Sequence, residues 1–302
     1  MSRALRPLAL LVLVVGVAAC SESDDASFAP VTDPGGNTVT VEDDGEEPRQ
    51  ELRVRRSAGD VDRVTQLQET SLEMAMGGQR QSVTNPPIEL DLRYVVDEAT
   101  DDRIELTGSY EDIRIGEGGD PAAAAQLRGS LDALREATAH TTITRRGSIL
   151  EGRMEGFDMP GLAGEIAEQL TSSMAENAQS LSMPFPVEAV GIGARWRVET
   201  ATEIGGLPIE LTTVIELTEL DDERAAGTVE QALRFVPGEV EVFGTQATVV
   251  SGELAGIGTI EWDLVAGIVP RSDITTTGTT VLEVSGNRVE QRQEMRIALL
   301  AR

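Results

Sequence analysis

The sequence predicts an α+β fold: a mostly antiparallel, curved β-sheet built from two similar halves, with two helices packed on one face. Three observations predict it. Apolar and polar residues alternate with period two over most of the chain after residue 51, as in Ile88-Glu89-Leu90-Asp91-Leu92 and Ile209-Glu210-Leu211. Two stretches, near 121–137 and 160–181, show helix-start signals and helical spacing instead. The alternating regions also contain matching glycine and acidic turns in the same order.

Taken in order, the chain begins with Arg3 and Arg6, an apolar run from Leu8 to Ala19, and Cys20. That run is shorter than the roughly 20 residues a membrane-crossing helix needs. A basic start, a short apolar core and small residues before the cleavage point make a secretory signal. Val17-Ala18-Ala19-Cys20 resembles the lipobox of bacterial lipoproteins, which implies a signal peptide at 1–19 and acylation of Cys20. The expected location is the exported face of the cell membrane or outer envelope. The membrane is then a partner through acyl chains on Cys20, and stable anchoring takes more than one chain.

Residues 20–50 read as an acidic disordered tether, with Asp33-Pro34-Gly35-Gly36 and Glu42-Asp43-Asp44-Gly45-Glu46-Glu47-Pro48 offering little to bury. They lack the calcium-loop spacing of an EF-hand. From 51 to 302 the pattern is that of one antiparallel-sheet domain. Leu72, Met74 and Met76 alternate with Ser71, Glu73 and Ala75, and a turn follows at Gly77-Gly78. Ile88 to Val96 and Ile104 to Tyr110 are the next strands, separated by an acidic turn at 97–102. Asp120-Pro121 supplies an N-cap and a first-turn proline for a helix to about Ala137. Thr141–Thr144 and Ile149–Met154 form a hairpin about Gly147-Ser148. A second helix is expected at 160–181, with Leu162, Ile166, Leu170, Met174, Ala178 and Leu181 on one stripe.

Strands resume after Pro184-Phe185-Pro186: Arg195–Val198, Ile209–Leu217, a stretch through Val229 and Phe235, and Ile260–Trp262 after a glycine-rich part at 252–258. The last hairpin pairs Thr279–Val284 with Arg288–Leu299. A strand near Gly59-Asp60 matches one near Gly193–Arg195, Asp101-Asp102-Arg103 matches Asp222-Glu223-Arg224, and Thr138–Thr144 matches Thr275–Thr280. The two halves, 51–156 and 185–302, therefore read as a duplication joined by the helix at 160–181. A chance likeness of two meanders is the alternative.

Hydrophobic residues make up 40% of the 302 and aromatics only 3%, so the core must be aliphatic. The formal net charge is −27, and every basic residue is arginine or the single His140. Such a surface repels phosphate backbones, which excludes nucleic-acid binding. With Cys20 the only cysteine, the chain can form neither an internal disulfide nor a thiolate zinc site.

Thr142-Ile143-Thr144-Arg145-Arg146-Gly147-Ser148-Ile149-Leu150-Glu151-Gly152, the amphipathic stretch after it, and Phe185-Pro186 leading into Val190-Gly191-Ile192-Gly193-Ala194-Arg195-Trp196 carry a resemblance. They resemble a group of uncharacterised bacterial lipoproteins, mainly actinobacterial and known only as a domain of unknown function. This chain has Gly193-Ala194 where that family usually has Gly-Asp. The resemblance supplies no catalytic residue. At the level of fold alone, it is also similar to lipid- and lipoprotein-carrying envelope domains.

No catalytic constellation emerges. His140 is the one histidine, and no G-x-S-x-G elbow accompanies it. Carboxylates fall in turns or on alternating wet faces, so neither a metal nor another cofactor is expected. The feature with chemical content is the apolar inventory. Flexible methionines line adaptable grooves, and Met74, Met76, Leu162, Ile166, Leu170 and Met174 are the candidate groove-lining residues. Ordinary core is the alternative for them. The expected function is a non-enzymatic, membrane-anchored envelope lipoprotein holding a hydrophobic or lipid ligand between sheet and helix. A protein-interaction or scaffold lipoprotein with an envelope-protein partner is the second reading, and a hydrolase the third.

Overall fold

Alternation with period two is realised as strands throughout. The computed structural model describes residues 29–77, 79–117, 131, 135–156, 183–204, 207–242, 245–267, 270–284 and 286–302. Fifteen strands run in chain order: β1 (Val31–Thr32), β2 (Thr38–Asp43), β3 (Val61–Met76), β4 (Gln79–Thr84), β5 (Ile88–Ala99), β6 (Arg103–Ile115), β7 (Thr138–Thr144), β8 (Ile149–Glu155), β9 (Arg195–Ile204), β10 (Leu207–Leu220), β11 (Arg224–Phe235), β12 (Gly238–Val242), β13 (Thr245–Asp263), β14 (Arg271–Val284) and β15 (Asn287–Ala301). All belong to one antiparallel sheet ordered β1-β2-β9-β10-β11-β13-β14-β15-β3-β5-β6-β7-β8. β4 pairs with β3 and β12 with β13, off that path.

The α+β expectation is thereby corrected. Strands take 71% of the described residues, no helical element occurs among them, and the fold is all-β. Most of the two stretches read as helices, 121–137 and 160–181, lies outside the described residues. Leu131 and Ala137, which are described, are buried. Leu131 packs on the sheet with Val64, Leu90, Leu92 and Ile113.

Part of the stretch read as an acidic disordered tether is folded. Thr38–Asp43 is a strand, β2, registered against β9 by Val39↔Val198 and Val41↔Trp196. Val39 and Val41 are buried in the main core. The acidic residues around them mask a three-residue alternation, Val39-Thr40-Val41, whose apolar face is all that pairing with β9 requires. Residues 44–50 continue along 190–194 through Gly191 N–H to Asp44 O (2.9 Å), Glu46 N–H to Ile192 O (2.8 Å) and Gln50 N–H to Val190 O (2.9 Å).

The sheet curls until its margins nearly meet. The β1–β2 turn stands at one end of the strand order, yet a methyl group on its Gly35 would lie 2.6 Å from the Ile149 carbonyl oxygen of β8 at the other end. Val41 and Trp196 share one core with Val96, Ile104, Leu106 and Ile143 from the opposite margin. Glycines inside strands let neighbouring backbones come close. A Cβ on Gly227, Gly258 or Gly278, in β11, β13 and β14, would come 2.4, 2.2 and 2.3 Å from a backbone oxygen of the adjacent strand. Strand glycines mark such close backbone approaches. β13 therefore runs unbroken through the glycine-rich part that reads as a gap in the sequence.

One end of the curled sheet is sealed by irregular chain. Residues 51–56 cross it with Leu52, Val54 and Arg56 buried and Glu51, Arg53 and Arg55 exposed. Val54 N–H donates to Arg145 O (2.8 Å) and Arg55 N–H to Leu264 O (2.7 Å), tying the strap to both halves. Arg145 donates Nη1–H to the Val54 and Arg56 carbonyls at 3.1 and 2.8 Å. Phe185 packs beside Trp262 with ring centroids 5.1 Å apart, and the Trp196 Nε1–H donates to Pro184 O at 3.2 Å.

The two halves share a hydrogen-bond frame. Gly59 N–H reaches Val96 O and Val96 N–H reaches Asp60 O; Gly193 N–H reaches Leu217 O and Leu217 N–H reaches Ala194 O. The acidic turns close alike, by Thr100 N–H to Arg103 O and Asp221 N–H to Arg224 O, both at 2.9 Å. Beyond them, Arg145 N–H finds Asp102 O and Leu264 N–H finds Glu223 O. This frame aligns the exit of β7 with the exit of β13. The sequence matched the Thr-rich strand β7 to the Thr-rich part of β14 instead.

Candidate functional site: the inner face of the curled sheet

Strand alternation gives the sheet two chemically different faces. The outer face carries ion pairs that cross strands. Arg296 on β15 reaches Asp273 on β14 (2.8 Å) and Glu69 on β3 (3.0 Å). Arg224 reaches Glu261 at 2.9 Å, and Arg114 reaches Glu89, Asp91 and Asp112 at 3.0, 2.8 and 2.8 Å. Asp91 is 1% exposed and also accepts a hydrogen bond from the Thr65 hydroxyl at 2.7 Å. The Arg114 hydrogen bond, with help from Thr65 and the charge of Arg302, holds its carboxyl below the usual carboxylate range. Asp112 and Asp273 are lowered likewise by Arg114 and Arg296, and Asp221 by the backbone N–H groups of Glu223 and Arg224.

All four carboxyls bind protons more weakly folded than unfolded. Their contribution is complete above about pH 4, the unfolded carboxylate range, and is lost as pH falls through the lower folded values. An acid titration followed by circular dichroism should show unfolding beginning below that range. Arg114→Met should move its midpoint to higher pH. An unmoved midpoint would remove Asp91 and Asp112 from the acid transition.

The inner face is the reverse. Of the described strand side chains that register places there, Asp62 alone is charged, and Arg271 pairs it at 2.7 Å. Toward the sealed end the inner face is the core around Trp196, Leu217, Ile260 and Trp262. Toward the other end it is a second apolar cluster including Ile209, Leu211, Leu233, Phe235, Leu254 and Leu282. Phe235 lies over Gly252, whose missing side chain makes room for the ring.

Between these clusters runs a belt of neutral polar residues in a single register row. Thr213 on β10 pairs with Gln231 on β11, Gln231 with Gly256 on β13, Gly256 with Thr276 on β14, Thr276 with Met295 on β15, and Met295 with Thr70 on β3. Thr213, Gln231, Thr276 and Thr70 are all buried. The Gln231 Nε2–H donates to the Thr213 hydroxyl at 3.4 Å. The Thr276 hydroxyl, by contrast, is buried with no hydrogen-bond partner, and its residue is 1% exposed. A second row, Gly252–Thr280–Gln291–Met74–Gln81, carries the same neutral chemistry outward. Thr280 and Gln291 are buried there, whereas Gln81 is exposed.

Among the sequence candidates, Met74 stands in that second row between Gln291 and Gln81, half-buried. Met76 lies at the end of β3 away from the 51–56 strap and is 44% exposed. Leu162, Ile166, Leu170 and Met174, the helix side of the expected groove, lie outside the described residues, as does Cys20. Sequence reasoning passed over the threonines and glutamines of the belt. Their signal is the alternation itself: Gln66, Gln68 and Thr70 share the parity of Leu72 and Met74, and Gln291 and Gln293 that of Met295. Of these glutamines Gln291 and Gln293 are buried, and Gln66 and Gln68 half-buried.

His140 is on the outer face. Its Nδ1 is 3.2 Å from the Thr107 hydroxyl, which donates to Asp97 at 2.5 Å, and its Nε2 is 3.6 Å from Glu155. It lines an open hollow of about 370 Å³ with Asp97, Glu105, Glu151 and Arg153. Because the Thr107 proton is committed to Asp97, the hydroxyl is not set up for removal of that proton by His140. No group of histidine, cysteine and carboxylate side chains suited to a metal occurs among the described residues.

No protein-family model matches the chain, and no curated protein does. Among solved structures, the crystal structure of OccK8 (OprE) from Pseudomonas aeruginosa aligns over 81% of this chain and 99% of its own, with 6% identity and a TM-score of 0.20. A likeness of that size carries no argument. The faces themselves do: a membrane-spanning barrel is apolar outside and polar inside, and this sheet places its ion pairs outside and its apolar clusters inside.

Proposed function

We propose that the protein is an exported lipoprotein, anchored through acyl chains on Cys20, whose curled sheet holds a hydrophobic or lipid ligand against its inner face without chemical turnover. The observation that carries this reading is the polarity of the two faces. The inner face is apolar and, Asp62 apart, uncharged, while the ion pairs lie outside. Concave apolar surfaces with a few placed polar groups are what ligand sites are made of. Met76 and Gln81 are exposed at the end of the sheet away from the 51–56 strap. The test is mass spectrometry of lipid extracted from the full-length protein purified from its own membranes. About one acyl lipid per chain, in addition to the covalent anchor, is expected; protein carrying none would sink the reading.

The anchor has its own test. Cys20→Ala should abolish metabolic fatty-acid labelling and release the protein from the membrane fraction. Label retained by that variant would place the acyl chains elsewhere.

A further inference from the structure

We propose that the free edge of β8 is an interface between two copies of this chain. The two β8 strands pair antiparallel about Gly152, and Glu151 of each copy stands opposite Arg153 of the other. β8 (Ile149–Glu155) ends the strand order and pairs only with β7. The β1–β2 turn comes close to it at Ile149. Among the described residues, 150–155 make no backbone hydrogen bond beyond those to β7. Glu151, Gly152, Arg153 and Glu155 are exposed. An edge of this kind presents a row of N–H and C=O groups that another strand can take up. The strand contains no proline, and Gly152 and Met154 on its inner side carry no charge to turn a partner away.

Charge selects the occupant and the register. Residues directly opposite in a strand pair share a face, and like charges there are destabilising. A pairing centred on Glu151 would set Glu151 against Glu151. One centred on Arg153 would set Arg153 against itself and Glu151 against Glu155. Centred on Gly152, the pairing sets Glu151 against Arg153 on both sides of the two-fold axis, glycine against glycine, and Leu150 against Met154. The edge is complementary to itself in that register. Arg153 can make the exchange at little cost. Its partner within the chain is Glu155 at 3.1 Å, and both side chains are more than half exposed, so the pair is worth little. Beside Glu151 lies the hollow of about 370 Å³, lined also by Asp97 and Glu105. It gives the incoming guanidinium room and further negative charge.

One pair of short strands covers less than the about 1,200 Å² at which standard interfaces begin. The contact is therefore weak between freely diffusing copies. Anchoring both copies to one membrane, as proposed above, raises their effective concentration and makes a weak contact sufficient. The net negative charge of the whole chain is screened beyond about 8 Å at physiological salt. The charges at the edge itself then decide the pairing.

The full-length protein carrying Gly152→Cys is oxidised in its own membranes and the covalent products are weighed by mass spectrometry. A disulfide-linked dimer is expected. The parent chain, whose one cysteine is Cys20, should give none; a dimer there counts against acylation of Cys20 and leaves the edge to be judged by the charge variants. Adding Arg153→Glu or Glu151→Arg to Gly152→Cys should lower the dimer yield about tenfold, since each change replaces attraction by repulsion on both sides of the axis. Making both changes together exchanges the charges and should restore it. Melting curves of the variants control for folding. No dimer from Gly152→Cys overturns the pairing, as does a yield that ignores the single changes or is not restored by the exchange. An adduct with a different protein in place of the dimer assigns the edge to a foreign strand and overturns it too. If Gly152→Cys does not fold, sedimentation of the concentrated full-length protein in detergent reads the same contact. A reversible dimer is then expected for the parent and a monomer for Arg153→Glu, and a monomer for both overturns the proposal.

Discussion

Trp196→Ala is expected to destabilise the protein by about 3–5 kcal/mol, the range for emptying a large aromatic site in a packed core. Trp196 is 0% exposed, the largest of the fully buried side chains. It holds together three parts of the chain that are far apart in sequence. On β9 it pairs across to Val41 of β2 and Ile215 of β10. Its ring centroid is 6.2 Å from that of Trp262 on β13. Its Nε1–H donates to Pro184 O in the segment that seals the sheet. The loss should appear as a large drop in thermal midpoint by circular dichroism. Trp196→Phe separates the two contributions: it keeps most of the ring and gives up the hydrogen bond, for a cost nearer 1–3 kcal/mol because the Pro184 carbonyl is left buried without its donor. Wild-type stability in the alanine variant would show that the sealed-end core does not depend on this ring.

The second large effect is expected at Gly258. A Cβ there would lie 2.2 Å from the Asp273 backbone oxygen and 2.8 Å from the Ile274 Cα. Neither atom belongs to a flexible side chain that could turn away, so Gly258→Ala must push β13 and β14 apart. Overpacking of this kind costs about 1–3 kcal/mol and sometimes more. The control is Gly238→Ala in β12, where nothing lies within 4 Å of the added methyl; that change should stay within about 0.5 kcal/mol. Equal denaturant midpoints for the two variants would mean that the β13–β14 contact does not need glycine at 258.

These two residues show where the sequence is legible and where it is not. The hairpins β5–β6, β7–β8, β10–β11 and β14–β15 can be read from alternation and turn residues, because both signals are local. Gly258 cannot be read that way. In sequence it belongs to a run of glycines that suggests a loop, whereas in the fold it is a strand residue whose missing side chain lets a neighbouring backbone come close. β2 is missed for a related reason. Six residues in an acidic stretch average out as polar, and only the waiting edge of β9 makes Val39 and Val41 worth burying. The belt is the intermediate case. Gln231, Thr276, Gln291 and Gln293 stand at core parity in plain sight. Nothing in one dimension says that Gln231, Gly256 and Thr276, on three different strands, form one row.

What the sequence determined by itself is what depends on neighbours along the chain. That comprises the strand pattern after residue 51 and the turns between strands. The tertiary structure decided the fold class among the described residues, the closing of the sheet upon itself, and which face became the interior. Those outcomes rest on pairings between strands far apart in the chain, such as Arg296 with Glu69 and Trp196 with Val41. Period-two alternation states that a strand has an apolar side and a polar side. Only the curling of the sheet, with strand glycines admitting close backbone contacts, brings the apolar sides of the longer described strands into common cores.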